Sequence, residues 1–188
     1  MIPNLITIAR LLTVPFVLWL GTADSPNALA AGLALFFVSG VSDWVDGYLA
    51  RKWDQETPFG TLMDPIADKL LVLGLLVVFS HRSVLPLWIP LVHLFREMLV
   101  SGIRSVFAAR GRTIGANWMG KTKFWLQILL CGGIFAWLTA GAAGLHVEWW
   151  RPVIFWAAVG VTTVSVAFLA NMMRWHAAEL LRTPNGGS

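Results

Sequence analysis

Asp43 and Asp46 stand three residues apart, and Asp64 and Asp68 four apart, within the segment SDWVDGYLARKWDQETPFGTLMDPIADK that runs from Ser42 to Lys69. On helices, each spacing projects both carboxylates from one face. Two such faces set against each other would gather four carboxylates, which repel one another and resist leaving water unless cations neutralise them. Hard oxygen donors of this kind suit Mg²⁺ or Mn²⁺. Gly47 and Gly60 lack side chains and let a substrate approach the backbone closely, Ala50 keeps the same face narrow, and Arg51 supplies a phosphate-seeking fork. The set describes a pocket for a phosphorylated substrate, with metals bridging phosphates and stabilising charge during a displacement. One carboxylate must stay free enough to act as a base. Asp54 and Glu56 fall in the intervening loop and read as solvated. The bland alternative, that all these acids line a wetted loop, is weaker because ionisable groups at membrane helix ends on one face are functional by default.

A second polar set comprises Arg96, Glu97, Ser101 and Arg104, followed by Asn117, Lys121 and Lys123. Arg96, Val100 and Arg104 step by four, so they drift only slowly round a helix and leave both guanidiniums on one broad face. Two arginines in an apolar helix need a partner, and Glu97 could neutralise part of the charge while snorkelling exposes the rest. The sharper reading is that Arg96, Arg104, Lys121 and Lys123 bind the phosphate of a phosphorylated acceptor. A neutral alcohol would not require them. His81, His93, His146 and His176 show no ligand spacing and are assigned to surface or packing, and no Ser-His-Asp nucleophile arrangement is present.

The elements that must hold these residues are apolar. Of the 188 residues 57% are hydrophobic and 13% charged, with a mean hydropathy of +0.69, a composition that belongs in a membrane rather than in a soluble domain. Apolar stretches at residues 5–21, 27–49, 66–80, 84–109, 122–144 and 152–173 predict six transmembrane helices. Asp24-Ser25-Pro26, Ser83 with Pro86, and the segment from Gly141 to Trp150 separate them. Arg10, Arg51, Lys52, Arg110, Arg112, Lys121, Lys123, Arg174 and Arg182 fall on one side, against Arg82 and Arg151 on the other. Positive loops stay in the cytoplasm, so both termini and the aspartate segment are expected there. Trp88, Trp149 and Trp150 are expected near the outer interface. The single cysteine, Cys131, excludes an internal disulfide or a zinc cluster. A net charge of +4 in so apolar a chain marks loops and headgroup contacts, and no nucleic-acid partner is expected. The N-terminus does not resemble a cleavable signal. Residues 1–182 read as one membrane catalytic domain and 183–188 as a flexible tail or an added scar.

The aspartate segment fits D-x-x-D-G-x-x-A-R, eight residues, G-x-x-x-D-x-x-x-D at every fixed position, and so resembles the signature of the CDP-alcohol phosphotransferase family. The resemblance implies a six-helix dimeric all-α fold in which Asp43, Asp46 and Asp64 bind two metal ions, Mg²⁺ or Mn²⁺. Asp68 then lies near the second metal and matches the general base. It further implies that Gly47, Arg51 and Gly60 contact the CDP moiety, with Ala50 in the same CDP-lipid set, and that Asn4 and Thr7 help to hold the nucleotide. The IPNLIT opening, the DPIADK ending, REMLVSGIR and GKTK resemble the bacterial branch of this family that makes phosphatidylglycerol phosphate, so the resemblance covers nearly the whole chain. The implied reaction joins CDP-diacylglycerol and glycerol 3-phosphate at the cytoplasmic face of a bacterial inner membrane. Members that accept inositol phosphate also carry a basic pocket, so that acceptor, serine and phosphatidylglycerol stay open as alternatives. A divalent-cation transporter is the rival of another class, but the last two predicted helices carry no acidic residue to continue an ion path.

Overall fold

A computed structural model describes the backbone of residues 2–53, 58–109 and 118–180, and the side chains over 11–40, at 66, and over 69–109 and 122–176. The described residues form six α-helices and no strand: α1 (Ile2–Gly21), α2 (Pro26–Trp53), α3 (Pro58–His81), α4 (Trp88–Ala109), α5 (Trp118–Ala142) and α6 (Arg151–Leu180), the last entered through a 3₁₀ turn at Glu148–Trp150. By length and composition, Thr122–Ala142 and Glu148–His176 can cross a bilayer, while Leu11–Gly21, Pro26–Gly40 and Lys69–His81 are shorter apolar stretches. The predicted tail at 183–188 lies outside the described residues.

Helix α1 packs against α2 and α3, α5 against α2, α3 and α6, and α4 against α3 and α6. The shared core contains Val17, Leu29, Leu75, Leu76, Phe79, Ile89, Ile134 and Phe135, all fully buried or nearly so, with Cys131 among them. Lipid tails are as apolar as leucine, so close packing rather than water exclusion must hold such helices together. Missing side chains permit it. A methyl on Gly74 would lie 2.7 Å from Leu18 Cδ1, and one on Gly32 would lie 2.9 Å from the ring of Phe135, which itself meets Phe79 edge to face at 5.7 Å.

One end of the bundle is defined by its turns. Helix α3 closes with Ser83 N–H donating to Ser80 O at 2.9 Å and Val84 N–H to Phe79 O at 2.9 Å. This is a Schellman pattern with Ser83 in the left-handed region at φ 57°. Helix α5 ends likewise, Gly144 N–H on Gly141 O at 3.0 Å and Leu145 N–H on Ala140 O at 3.1 Å, with Gly144 at φ 82°. The sequence places a helix from residue 84, but α4 begins only at Trp88, because residues 83–85 are spent capping α3. Arg82 reaches the α1–α2 turn, donating to Ala23 O at 2.6 Å and pairing with Asp24 at 3.1 Å, while Arg151 donates to Ser83 O at 2.8 Å. The start of α2 and the end of α3 are thus at one end, so the end of α2 and the start of α3, which carry the aspartates, are at the other. Trp149 and Trp150, their rings tilted by 34° with centroids 4.5 Å apart, belong to the Arg82 end.

Candidate active site

Asp43 and Asp46 lie on the second half of α2, and Asp64 and Asp68 on the first half of α3. The same helices carry Gly47, Ala50, Arg51 and Gly60, and α1 carries Asn4 and Thr7 near its start. The side chains at all these positions lie outside the described residues, as do Asp54, Glu56, Asn117 and the side chain of Lys121. Among the described residues no group of three or more His, Cys, Asp or Glu side chains could hold a metal. The aspartate set fits a divalent cation by its donor chemistry, two pairs of hard oxygen ligands at helical spacing on consecutive helices.

Next to Asp68 in sequence, Lys69 turns into the bundle. Its Nζ donates to Ser101 Oγ on α4 at 3.0 Å and lies 3.7 Å from Glu97 Oε2. Glu97 Oε1 accepts from Arg96 Nη1 at 2.7 Å and also from Lys123 Nζ on α5. Arg96, Glu97 and Lys123 are buried. Among the described residues, one carboxylate therefore faces three cations drawn from three helices, and the cluster carries surplus positive charge where solvent screens it little. Arg96 Nε has no hydrogen-bond partner among the described residues. A buried donor left open beside surplus positive charge is suited to a phosphate oxygen.

One helical turn further from the aspartate end lies a neutral layer. His93 is fully buried, with Nε2 3.1 Å from Thr162 Oγ1 on α6 and Nδ1 2.9 Å from Gln127 Nε2 on α5. Histidine scatter along the sequence assigned this residue to surface or packing; it is interior, and it also ties three helices together. The usable signal was spacing, since His93 precedes Glu97 by four residues as Lys123 precedes Gln127 by four.

The contact of Phe107 with His176, ring centroids 5.2 Å apart, lies fourteen residues beyond the His93–Thr162 pair on both helices. Helices α4 and α6 therefore run parallel and in register over about 21 Å. The same register sets Arg96 level with Ser165, a buried serine whose Oγ also lacks a partner among the described residues. The two arginines of the sequence-predicted pocket part company: Arg96 is buried in the ion cluster, whereas Arg104 is exposed at the aspartate end of α4, seven residues from Glu97 and hence on its stripe. Lys69, Glu97 and Ser101 join Arg96 and Lys123 in this cluster.

The family model for CDP-alcohol phosphatidyltransferase matches residues 1–174 of the chain. Among curated relatives, the CDP-diacylglycerol–glycerol-3-phosphate 3-phosphatidyltransferase of Bacillus subtilis is 39% identical over 140 residues, covering 68% of this chain and 72% of its own. The protein of the same name from Shigella flexneri serotype 5b is 35% identical over 187 residues, covering 96% and 92%. A cardiolipin synthase (CMP-forming) of Streptomyces coelicolor is 35% identical over 173 residues, covering 82% and 80%. With its aspartate signature on α2 and α3 and a match over almost its full length, the chain belongs to the CDP-alcohol phosphatidyltransferase family.

Proposed function

We propose that the protein transfers the phosphatidyl group of CDP-diacylglycerol to glycerol 3-phosphate, giving phosphatidylglycerol phosphate and CMP. The primary hydroxyl of glycerol 3-phosphate attacks the phosphorus that bears the diacylglycerol, the bond from that phosphorus to the CMP oxygen breaks, and the hydroxyl proton passes to the Asp68 carboxylate. Asp43, Asp46 and Asp64, with Asp68 nearby, hold two Mg²⁺ or Mn²⁺ ions. When bound, these ions neutralise the pyrophosphate and the charge of departing CMP. Asn4, Thr7, Gly47, Ala50, Arg51 and Gly60 take the CDP-lipid. Arg96, Arg104, Lys121 and Lys123 take the acceptor phosphate, so that positioning supplies much of the acceleration.

The observation that carries the acceptor is the cluster of buried Arg96, Glu97 and Lys123 with half-buried Lys69, which among the described residues retains positive charge and an open Arg96 Nε. Relatives named for glycerol 3-phosphate support the same acceptor. We place six membrane-spanning helices in the inner membrane of a bacterium, both termini and the aspartates on the cytoplasmic side, in a homodimer of single-domain chains. Distribution of Lys and Arg supports the orientation.

The cardiolipin synthase relative favours phosphatidylglycerol as the second reading of the acceptor. Purified protein supplied with CDP-diacylglycerol and Mg²⁺ or Mn²⁺ should release CMP with glycerol 3-phosphate. Release with phosphatidylglycerol or inositol phosphate, and none with glycerol 3-phosphate, overturns the acceptor assignment.

A further inference from the structure

Three cations and a carboxylate meet where α3, α4 and α5 converge, and the manner of their meeting goes beyond neutralising buried charge. Arg96 and Lys123, both buried, would repel each other without an anion between them, and Glu97 Oε1 accepts from both. A buried carboxylate that served only these two would need no third partner. Its second oxygen instead faces Lys69, whose ammonium is also held by Ser101 Oγ at 3.0 Å and whose side chain remains 40% exposed. Lys69 is the sequence neighbour of Asp68, so fixing its ammonium on α4 fixes the rise and rotation of α3 where the aspartates sit.

From this geometry we infer that Glu97 is a positioning residue that, through Lys69, ties the acceptor-phosphate cations of α4 and α5 to the aspartate-bearing helix α3. The inference rests on the proposed acceptor chemistry and adds to it a device for setting the distance between acceptor hydroxyl and CDP-lipid. Glu97 leaves binding capacity in place: each ammonium has three donors, and Arg96 Nε has no partner among the described residues. It is also backed from below. His93, one turn earlier on α4, is locked to Gln127 and Thr162, and Gln127 is one turn from Lys123 on α5. The ion cluster therefore rests on a hydrogen-bonded layer that joins α4 to α5 and α6, and Lys69 extends that frame to α3. A phosphate seated on Arg96 and Lys123 would then find its hydroxyl end directed by the same carboxylate that holds α3.

The test uses the full chain in lipid–detergent micelles, with CMP release measured while glycerol 3-phosphate and CDP-diacylglycerol are varied separately. Glu97→Gln preserves shape and removes the charge. Its acceptor KM should rise by about tenfold or more, the loss of one charge-assisted hydrogen bond, while the CDP-diacylglycerol KM stays within about twofold. Lys69→Met should raise the acceptor KM as well, and the double variant should be no worse than the poorer single one, because Lys69 acts through Glu97. Equal changes in both KM values, unchanged kinetics, or multiplying effects in the double variant overturn the inference. If Glu97→Gln does not fold, Lys69→Met decides alone, and an unaltered acceptor KM there overturns it. If wild-type protein works only with another phosphorylated acceptor, the proposed acceptor is wrong and the same KM comparison is made with the acceptor that works. Wild-type protein that releases no CMP with any acceptor overturns both.

Discussion

His93 Nε2 lies 3.1 Å from Thr162 Oγ1, and Thr162 already donates its own proton to Ala158 O at 2.8 Å. The hydroxyl can only accept, so the imidazole donates through Nε2 and its Nδ1 must accept from the Gln127 amide at 2.9 Å. The ring is neutral, in one tautomer, with both nitrogens used. This is how a histidine can sit fully buried among apolar helices.

Replacing either partner has a calculable consequence. Thr162→Val removes one interhelical hydrogen bond and should cost about 1 kcal/mol. His93→Phe removes two bonds and strands the Gln127 amide, for about 2 to 3 kcal/mol. Unfolding in mixed micelles should rank wild type above Thr162→Val above His93→Phe, and equal midpoints would contradict the assignment.

Ser83 and Gly144 occupy the same position of two Schellman turns, but only Gly144 suits its left-handed backbone. What Ser83 contributes is its carbonyl, which accepts from Arg151 and which glycine would keep. Ser83→Gly should therefore stabilise the protein by about 0.5 to 1 kcal/mol, read as a raised unfolding temperature with unchanged turnover. A lowered temperature would mean that the serine hydroxyl has a structural partner.

The helices were legible because their apolar runs are long and their interruptions chemically sharp: Pro26 starts α2, and Gly144 follows α5. The start of α4 was not, because Val84 and Leu85 read as the first apolar residues of a helix while their N–H groups are spent on Phe79 O. The aspartate reading rests on spacing within a single segment, whose side chains lie outside the described residues. The ion cluster was legible only in composition, since Lys69, Glu97 and Lys123 come from three helices and their meeting depends on packing between α3, α4 and α5. Stepping by four put Arg96 and Arg104 on one broad face, but it does not report depth along the bundle: Arg96 is buried, whereas Arg104, two turns nearer the aspartate end of α4, is exposed.

Asp68 has a different expected signature from the rest of the aspartate set. Asp68→Asn keeps an oxygen ligand but cannot accept the hydroxyl proton, so turnover should fall by at least about a hundredfold while CDP-diacylglycerol still binds. Chelation with EDTA should instead abolish turnover reversibly, with Mg²⁺ or Mn²⁺ restoring it. Turnover like that of wild type in Asp68→Asn would remove it as the base.

Arg104 tests where the acceptor phosphate first meets the protein. It is exposed two turns from Glu97 on one stripe, so its field reaches solvent, and salt with a Debye length of about 8 Å at physiological strength screens it. The buried Arg96 and Lys123 are screened much less. Arg104→Ala should raise the KM for glycerol 3-phosphate several-fold while leaving that for CDP-diacylglycerol nearly unchanged. It should also flatten the rise of acceptor KM with added KCl, because the cation that salt weakens most has been removed. An acceptor KM whose salt dependence is the same in both proteins would confine phosphate recognition to the buried cations and leave Arg104 outside the site.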